Sequence, residues 1–350
     1  MRETTAPTLL PEWAPQAGVL LAWPHADSDW GPHLDAIEAE YVALAAAITR
    51  FEVLVIACQD AVHRTAVRDL LQTAGLPAAR LHLHVVPCDH TWVRDYGPLA
   101  VGTAAAVELT AFAFNAWGGK YRCVHDAEFS ARLHALGAFG DAPLRREPLV
   151  VEGGALESDG NGTLLTTAGC LDRPSRNPGL DRTQLAARLG PVLGVDRVLW
   201  LEVEPLPGDD TDGHVDTLVR FCDPGTLAHV TCADPADPAH TSLAGLERQL
   251  RALRRRDGTP YRLLPLPLPA PCHASDGRRL PATHANFLII NGAVLVPCYG
   301  DPADAVAMER LGAVFPGREV IGIPARTLIE ENGSLHCATM QLPAGLALAG

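Results

Sequence analysis

Lysine is almost missing from this chain. Of its 28 basic residues, Lys120 is the one lysine. A phosphate-cradling loop needs Lys followed by Ser or Thr, and Lys120 precedes Tyr121, so that class is excluded. Any lysine-dependent mechanism has one candidate. Paired cysteines are missing too. The nine cysteines (Cys58, Cys88, Cys123, Cys170, Cys222, Cys232, Cys272, Cys298 and Cys337) are odd in number, scattered, and nowhere spaced Cys-x-x-Cys. This argues against a disulfide framework and a clustered structural zinc, and most read as small core hydrophobes. No stretch has the length and apolarity of a membrane span, and the first residues lack an apolar signal region, so a cytoplasmic location is expected. Positive charge is scarce: the formal net charge is −13. Nucleic acid and anionic lipid are therefore poor partners, while a cationic small molecule is favoured. Solubility is the plainer account of the bulk charge.

What is present is globular material, 47% hydrophobic and 20% charged, ample for a core. No low-complexity linker or composition break appears, so residues 1–350 read as one catalytic domain. After residue 145 a pattern recurs: two short strands joined by a tight turn, then a helix, then a strand. Its first copy has strands at Pro148–Val151 and Thr163–Thr166, a helix from about Asp181 to Leu189 stopped by Gly190, and a strand at Val198–Leu201. The second has strands from Val215 to Cys222 and from Leu227 to Cys232, a helix over roughly Ser242–Arg255, and an edge-like strand at Leu263–Leu266. The third has Asn286–Ile290 and Ala293–Val296 around the hairpin dipeptide Asn291-Gly292, a helix over Pro302–Val314, and a strand at Val320–Ile323. Earlier, Leu34, Ile37, Tyr41, Leu44 and Ile48 keep helical spacing, and Val53–Ile56 is a buried strand. Asp60 caps a helix ended by Gly75, and Leu81, Leu83 and Val85 alternate with His82 and His84 as a half-buried strand.

Candidate chemical residues follow the same rhythm. Asp95, Glu152, His214, Asn286 and Cys337 are separated by 57, 62, 72 and 51 residues, about one per unit. Units arranged about an axis would bring one polar group each to the centre. His214 and Asp216 would share one strand face, roughly 6–7 Å apart; a buried His paired to a surface acid is the plainer alternative. Asp95 sits before Tyr96-Gly97-Pro98 on a constrained turn, as a ligand or as a partner of Arg94. Trp92 offers a flat face to a cation or packs in the core. Cys337, near a glycine-containing turn, is a nucleophile or an inert thiol. Glu152, ahead of Gly153-Gly154, either reads a second cationic group or sits on a hairpin surface. Asn286 orients substrate or satisfies buried backbone, and Asp212 joins the substrate-binding candidates within an acidic run. Together a thiol, an imidazole and two carboxylates suit a guanidinium. Asp95 and Asp216 would grip the planar cation, Cys337 would attack its central carbon, and His214 would serve as acid and base. No metal or cofactor is required.

Several segments in order carry a family resemblance: Pro11-Glu12-Trp13-Ala14-Pro15-Gln16, Leu21-Ala22-Trp23-Pro24, Trp92-Val93-Arg94-Asp95-Tyr96-Gly97-Pro98, Glu152-Gly153-Gly154, Gly162–Thr167, Asn177-Pro178, Thr211–Asp216, Ala285-Asn286-Phe287 and Leu335-His336-Cys337. The chain resembles the agmatine deiminases and bacterial-type peptidylarginine deiminases of the guanidino-modifying superfamily. The resemblance implies an α/β fold, a five-bladed α/β propeller (pentein) with its site on the pseudo-fivefold axis. It implies a covalent amidino intermediate on Cys337 and conversion of agmatine and water to N-carbamoylputrescine and ammonia, a step of putrescine synthesis. It leaves a homodimer open. Departures stand at the tail side: Glu331–Leu335 replaces the usual Gly-Gly-Gly-Asn-Ile, and His25–Trp30 replaces an Arg-containing stretch. Other guanidines (arginine, peptidylarginine, smaller compounds) remain alternatives. A nitrilase-like Cys-Glu-Lys enzyme would require Lys120. A metal-dependent hydrolase would use His214, Asp216 and Asp95, and a non-catalytic guanidine binder would release no ammonia.

Overall fold

The computed structural model describes residues 7–103 and 106–350. Residues 1–6, within the stretch read for a signal region, lie outside the described residues. The chain is α/β. The strands among the described residues form five separate small sheets, each combining an antiparallel pair with at least one parallel neighbour. The repeating arrangement is hairpin, helix, parallel strand. In one sheet Leu288–Ile290 pairs antiparallel with Ala293–Cys298, the helix Pro302–Val314 follows, and Glu319–Pro324 returns parallel. Crossing back through a helix is what a parallel neighbour requires. The sheet at the chain ends joins the last strand, Thr339–Pro343, antiparallel to Gln16–Ala22, which continues to Val53–Cys58 and Leu81–Val85. No described helix is long and apolar enough to cross a membrane.

Most expected elements appear, with informative shifts. Pro148–Val151 is not the first strand of its unit. It is the end of Leu144–Val150, which runs parallel to Val107–Ala113 in the preceding sheet. The hairpin partner of Thr163–Thr167 is the two-residue strand Glu157–Ser158, too short and too acidic to show alternation. Gly190 does not stop its helix. Arg182–Leu193 runs through Gly190 and Pro191 to Gly194, whose φ of 62° supplies the left-handed end. The alternation in Leu81–Val85 holds only at its start: Leu81 is buried and His82 half-buried, but His84 is buried, its Nε2 2.9 Å from the Ala349 carbonyl, while Leu83 and Val85 are half-buried.

The residues between sheets matter most. Asp95, Glu152, His214, Asn286 and Cys337 each lie two to five residues before an antiparallel-paired strand of a different sheet: Leu99–Gly102, Glu157–Ser158, Val219–Asp223, Leu288–Ile290 and Thr339–Pro343. Each is held in a short turn whose direction is set by the strand it feeds.

Candidate active site

Asp95 is on one helical turn, Val93–Tyr96, and is 4% exposed. Arg94 does not neutralise it. The Arg94 guanidinium points away, to the His336 carbonyl and to Gln341 Oε1. Asp95 Oδ1 accepts the Gly154 N–H at 2.9 Å, and Oδ2 accepts the Trp117 indole N–H at 2.9 Å. His214 Nδ1 lies 3.6 Å from Asp95 Oδ1. His214 and Asp216 are not on a strand. Val215–Thr217 is a 3₁₀ turn ahead of Val219–Asp223, and Thr211 Oγ1 accepts the His214 N–H. Both side chains nonetheless converge on Gly154.

Gly154 shows how tightly these groups converge. A Cβ built there would lie 2.7 Å from His214 Nδ1, 2.8 Å from Asp95 Oδ1 and 3.0 Å from Asp216 Oδ2. Glu152-Gly153-Gly154 is therefore glycine-rich because functional side chains crowd its backbone, and the three residues sit in or beside a 3₁₀ turn rather than a hairpin tip. Cys337 Sγ is 3.8 Å from Asp216 Oδ2, so thiol, imidazole and both acids share one neighbourhood.

The cleft that opens onto this group offers about 430 Å³ of empty space, part of it open to solvent. Cys337, Asp95, Trp92 and Trp117 form its inner wall, and Asp29, Asp210 and Glu331 are among the residues lining the rest. Neither arginine nor lysine lines it. Trp92 packs edge-on to Trp30, and Gly333 lies against its ring, where a Cβ would come within 2.4 Å.

Three candidates occupy other places. Glu152 is fully buried and does not line the cleft. Arg176 Nε sits 3.0 and 3.2 Å from its two oxygens, and Cys170 Sγ is 3.8 Å from Oε2. Asp212 is tied to Arg176, to Lys120 at 3.0 Å and to Arg173 at 3.6 Å, leaving its neighbours Asp210 and Thr211 to line the cleft. Asn286 takes the backbone role: its Oδ1 accepts the N–H groups of His336 at 3.0 Å and Cys337 at 3.2 Å. Glu152, Cys170 and His214 also bring ligand-type atoms within 4.8 Å of one another. The Arg176 guanidinium already supplies the positive charge that Glu152 faces there.

Burial and neighbouring charge set the protonation of the site. Burial pushes the Asp95 carboxyl up to about 6, with Asp216 and Glu152 adding and His214 and Trp117 opposing. Burial works against a charged His214, yet Asp95, Cys170 and Glu152 raise it well above the usual histidine value. Burial opposes charge on Asp216 as well, but His336 holds it low. Burial, then Asp216 and Asp95, push the Cys337 thiol well up, so the empty site favours the thiol. At the cleft, burial and then Asp29 push Glu331 up to about 7.

The residues from 8 to 343 match the model of the Porphyromonas-type peptidyl-arginine deiminases. The chain belongs to that family. Among curated relatives, an agmatine deiminase of Stutzerimonas stutzeri (strain A1501) is 34% identical over 359 residues, covering 95% of this chain and 94% of its own. A solved Porphyromonas gingivalis protein with a provisional assignment as an arginine deiminase is 47% identical, with a TM-score of 0.89 over 97% of this chain and 99% of that one. A cysteine-to-serine variant of the C. jejuni agmatine deiminase with substrate bound is 31% identical, with a TM-score of 0.89 over 97% of both chains.

Some neighbours carried no usable sequence signal. Cys170 is one thiol among nine, Trp117 stands in no recognisable motif, and His336 carries no signal beyond flanking Cys337. Asp29 and Glu331 stand in stretches that depart from the family pattern, which is a signal for the cleft lining.

Proposed function

We propose that this protein deiminates a small guanidine, agmatine above others, releasing ammonia and N-carbamoylputrescine, with a role in putrescine synthesis. One observation carries the reading. Asp216 Oδ1 is buried and without a hydrogen-bond partner. A buried acceptor left unpaired costs about 1–3 kcal/mol, so a ligand with several N–H groups repays it. A guanidinium between Asp95 and Asp216 supplies those donors and exposes its central carbon to Cys337.

The bound cation offsets the two carboxylates that disfavour the thiolate, and the thiol proton leaves to solvent. Sulfur then bonds to the guanidine carbon. The imidazolium of His214 gives its proton to a departing –NH₂, which leaves as ammonia. Neutral His214 next takes a proton from water, whose oxygen adds to the amidino carbon. The C–S bond breaks as the added hydroxyl becomes the carbonyl and loses its remaining proton to solvent, the ureido product leaves, and the thiolate is restored. Glu152, braced by Arg176, lies with Cys170 near His214 and favours its charged form rather than touching substrate.

The cleft favours agmatine among guanidines. Asp29, Asp210 and Glu331 would attract a second cation and oppose the carboxylate of arginine or of a carboxy-terminal peptidylarginine. Trp92 and Trp117 give the methylene chain an apolar wall. The nitrilase-like alternative loses support, because Lys120 is engaged by Asp212 and the Asp210 carbonyl and does not line the cleft. We also propose that the five sheets close about one axis as a five-bladed propeller in a single catalytic domain, which would seat the five interstrand turns at its centre.

An ammonia-release assay over agmatine, arginine and carboxy-terminal peptidylarginine tests the substrate, and mass spectrometry of acid-quenched enzyme tests the adduct. The expected results are highest kcat/KM with agmatine and an amidino mass increment on Cys337. Turnover of arginine with none of agmatine would overturn the substrate reading. Unmodified Cys337 in enzyme quenched during rapid turnover with slow adduct hydrolysis would overturn the intermediate.

A further inference from the structure

His336 stands between two carboxylates. Its Nδ1 is 2.7 Å from Asp216 Oδ2, and its Nε2 is 2.6 Å from Glu12 Oε2. A neutral imidazole has one N–H, and an ionised carboxylate only accepts. Both acids stay ionised. Burial opposes each charge; apart from His336 itself, Arg220 and the Ile289 N–H favour it at Glu12, and His214 and Arg220 favour it at Asp216. Both ring nitrogens must therefore donate. Charge counting agrees. The buried network holds three acids (Glu12, Glu157, Asp216) and two arginines (Arg94, Arg220), all 9% exposed or less. With His336 protonated the sum is zero; with it neutral the interior keeps one uncompensated negative charge, which is costly.

The ring cannot easily move. Glu12 Oε1 accepts the Ile289 N–H at 2.6 Å, Arg220 donates to Glu12 Oε2 at 2.7 Å, and Asn286 holds the His336 backbone. One end of this linkage is the Pro11–Gln16 motif, to which the chemistry had assigned nothing. The other end is the acid beside the thiol, where Oδ2 is taken by His336 and Oδ1 is buried and free.

We infer that His336 is a doubly protonated strut between Glu12 and Asp216, a positioning residue that decides which oxygen of Asp216 meets the guanidinium. The link to substrate rests on reading Asp216 as a guanidinium ligand; the double protonation does not.

Two measurements test it. In the full-length enzyme labelled with ¹⁵N-histidine, without ligand at neutral pH, two-bond ¹H–¹⁵N correlations should place both His336 ring nitrogens in the protonated range. A neutral tautomer there would overturn the strut whatever the substrate is. In a Cys337→Ser background, which cannot turn over, His336→Gln should weaken agmatine binding about 10- to 100-fold by calorimetry, because Asp216 loses the partner that orients it. Unchanged affinity in that folded variant would overturn the positioning role. If His336→Gln does not fold, Glu12→Gln carries the same arm with the same two outcomes. If Cys337→Ser itself binds no agmatine, the proposed substrate fails, and the spectrum still decides the strut.

Discussion

At the scale of single residues, the chemistry follows from which polar atoms are left unpaired. Asp216 Oδ1 is free, whereas Glu152, Asp212 and Asn286 are satisfied by protein. Asp216→Asn should lower kcat and raise KM together, costing about 10²-fold or more in kcat/KM, since it removes a charge-assisted acceptor present in ground and transition states. Steady-state kinetics checks this, and wild-type values would contradict the clamp. Asp95 gives a pH prediction. The site needs its carboxylate, which takes up a proton as pH falls through about 6, so kcat/KM should drop along an acidic limb near that value. Trp117 hydrogen-bonds the charged form and lowers this pKa. Trp117→Phe should move the limb to higher pH and raise KM by about 5- to 10-fold, as a pH–rate profile of the variant will show. The residue types for this chemistry were legible in the sequence. Their partners were not, because hydrogen bonds between positions 22 to 120 residues apart leave no local pattern.

At the scale of elements, the turn ahead of each sheet does the positioning, and the turns are specified more by close packing than by propensity. Gly154→Ala puts a methyl within 3.0 Å of three functional side chains. Turnover should fall at least about 100-fold with thermal unfolding nearly unchanged, because an ångström of misplacement costs that much; activity and melting curves on one preparation separate the effects. Gly194→Ala tests the opposite case. It forces a side chain into a left-handed helix end against the Pro7 carbonyl, 1.9 Å away. It should lower stability by about 1–2 kcal/mol or more, read from denaturant midpoints, with kcat kept per folded molecule. The amphipathic helices and aliphatic strands were readable from periodicity and capping residues. Glu157–Ser158 was not, since two residues carry no period, and the spacing of His214 and Asp216 fits a strand face although Val215–Thr217 forms a 3₁₀ turn.

At the scale of the whole molecule, the net charge of −13 and the acids lining the cleft act on approach and on discrimination. For a dicationic substrate, KM should rise several-fold between about 0.02 and 0.3 M salt, and a neutral-tailed guanidine should respond less. Glu331→Gln should narrow the preference for agmatine over arginine, and wild-type preference should weaken as pH falls through about 7, where Glu331 takes up its proton. Competition assays at two pH values check both. The sequence by itself determined the α/β class, most of the helices, the acidic character and the kinds of functional group available, because these depend on composition, periodicity and local turn chemistry. Tertiary structure alone decided that Cys337, His214, Asp95 and Asp216 meet over Gly154, that Glu152 and Asp212 turn to Arg176, and that His336 links the chain start to Asp216. Those outcomes depend on how separate sheets place their turns and on which buried charge finds a partner, and neither is encoded within one stretch of chain.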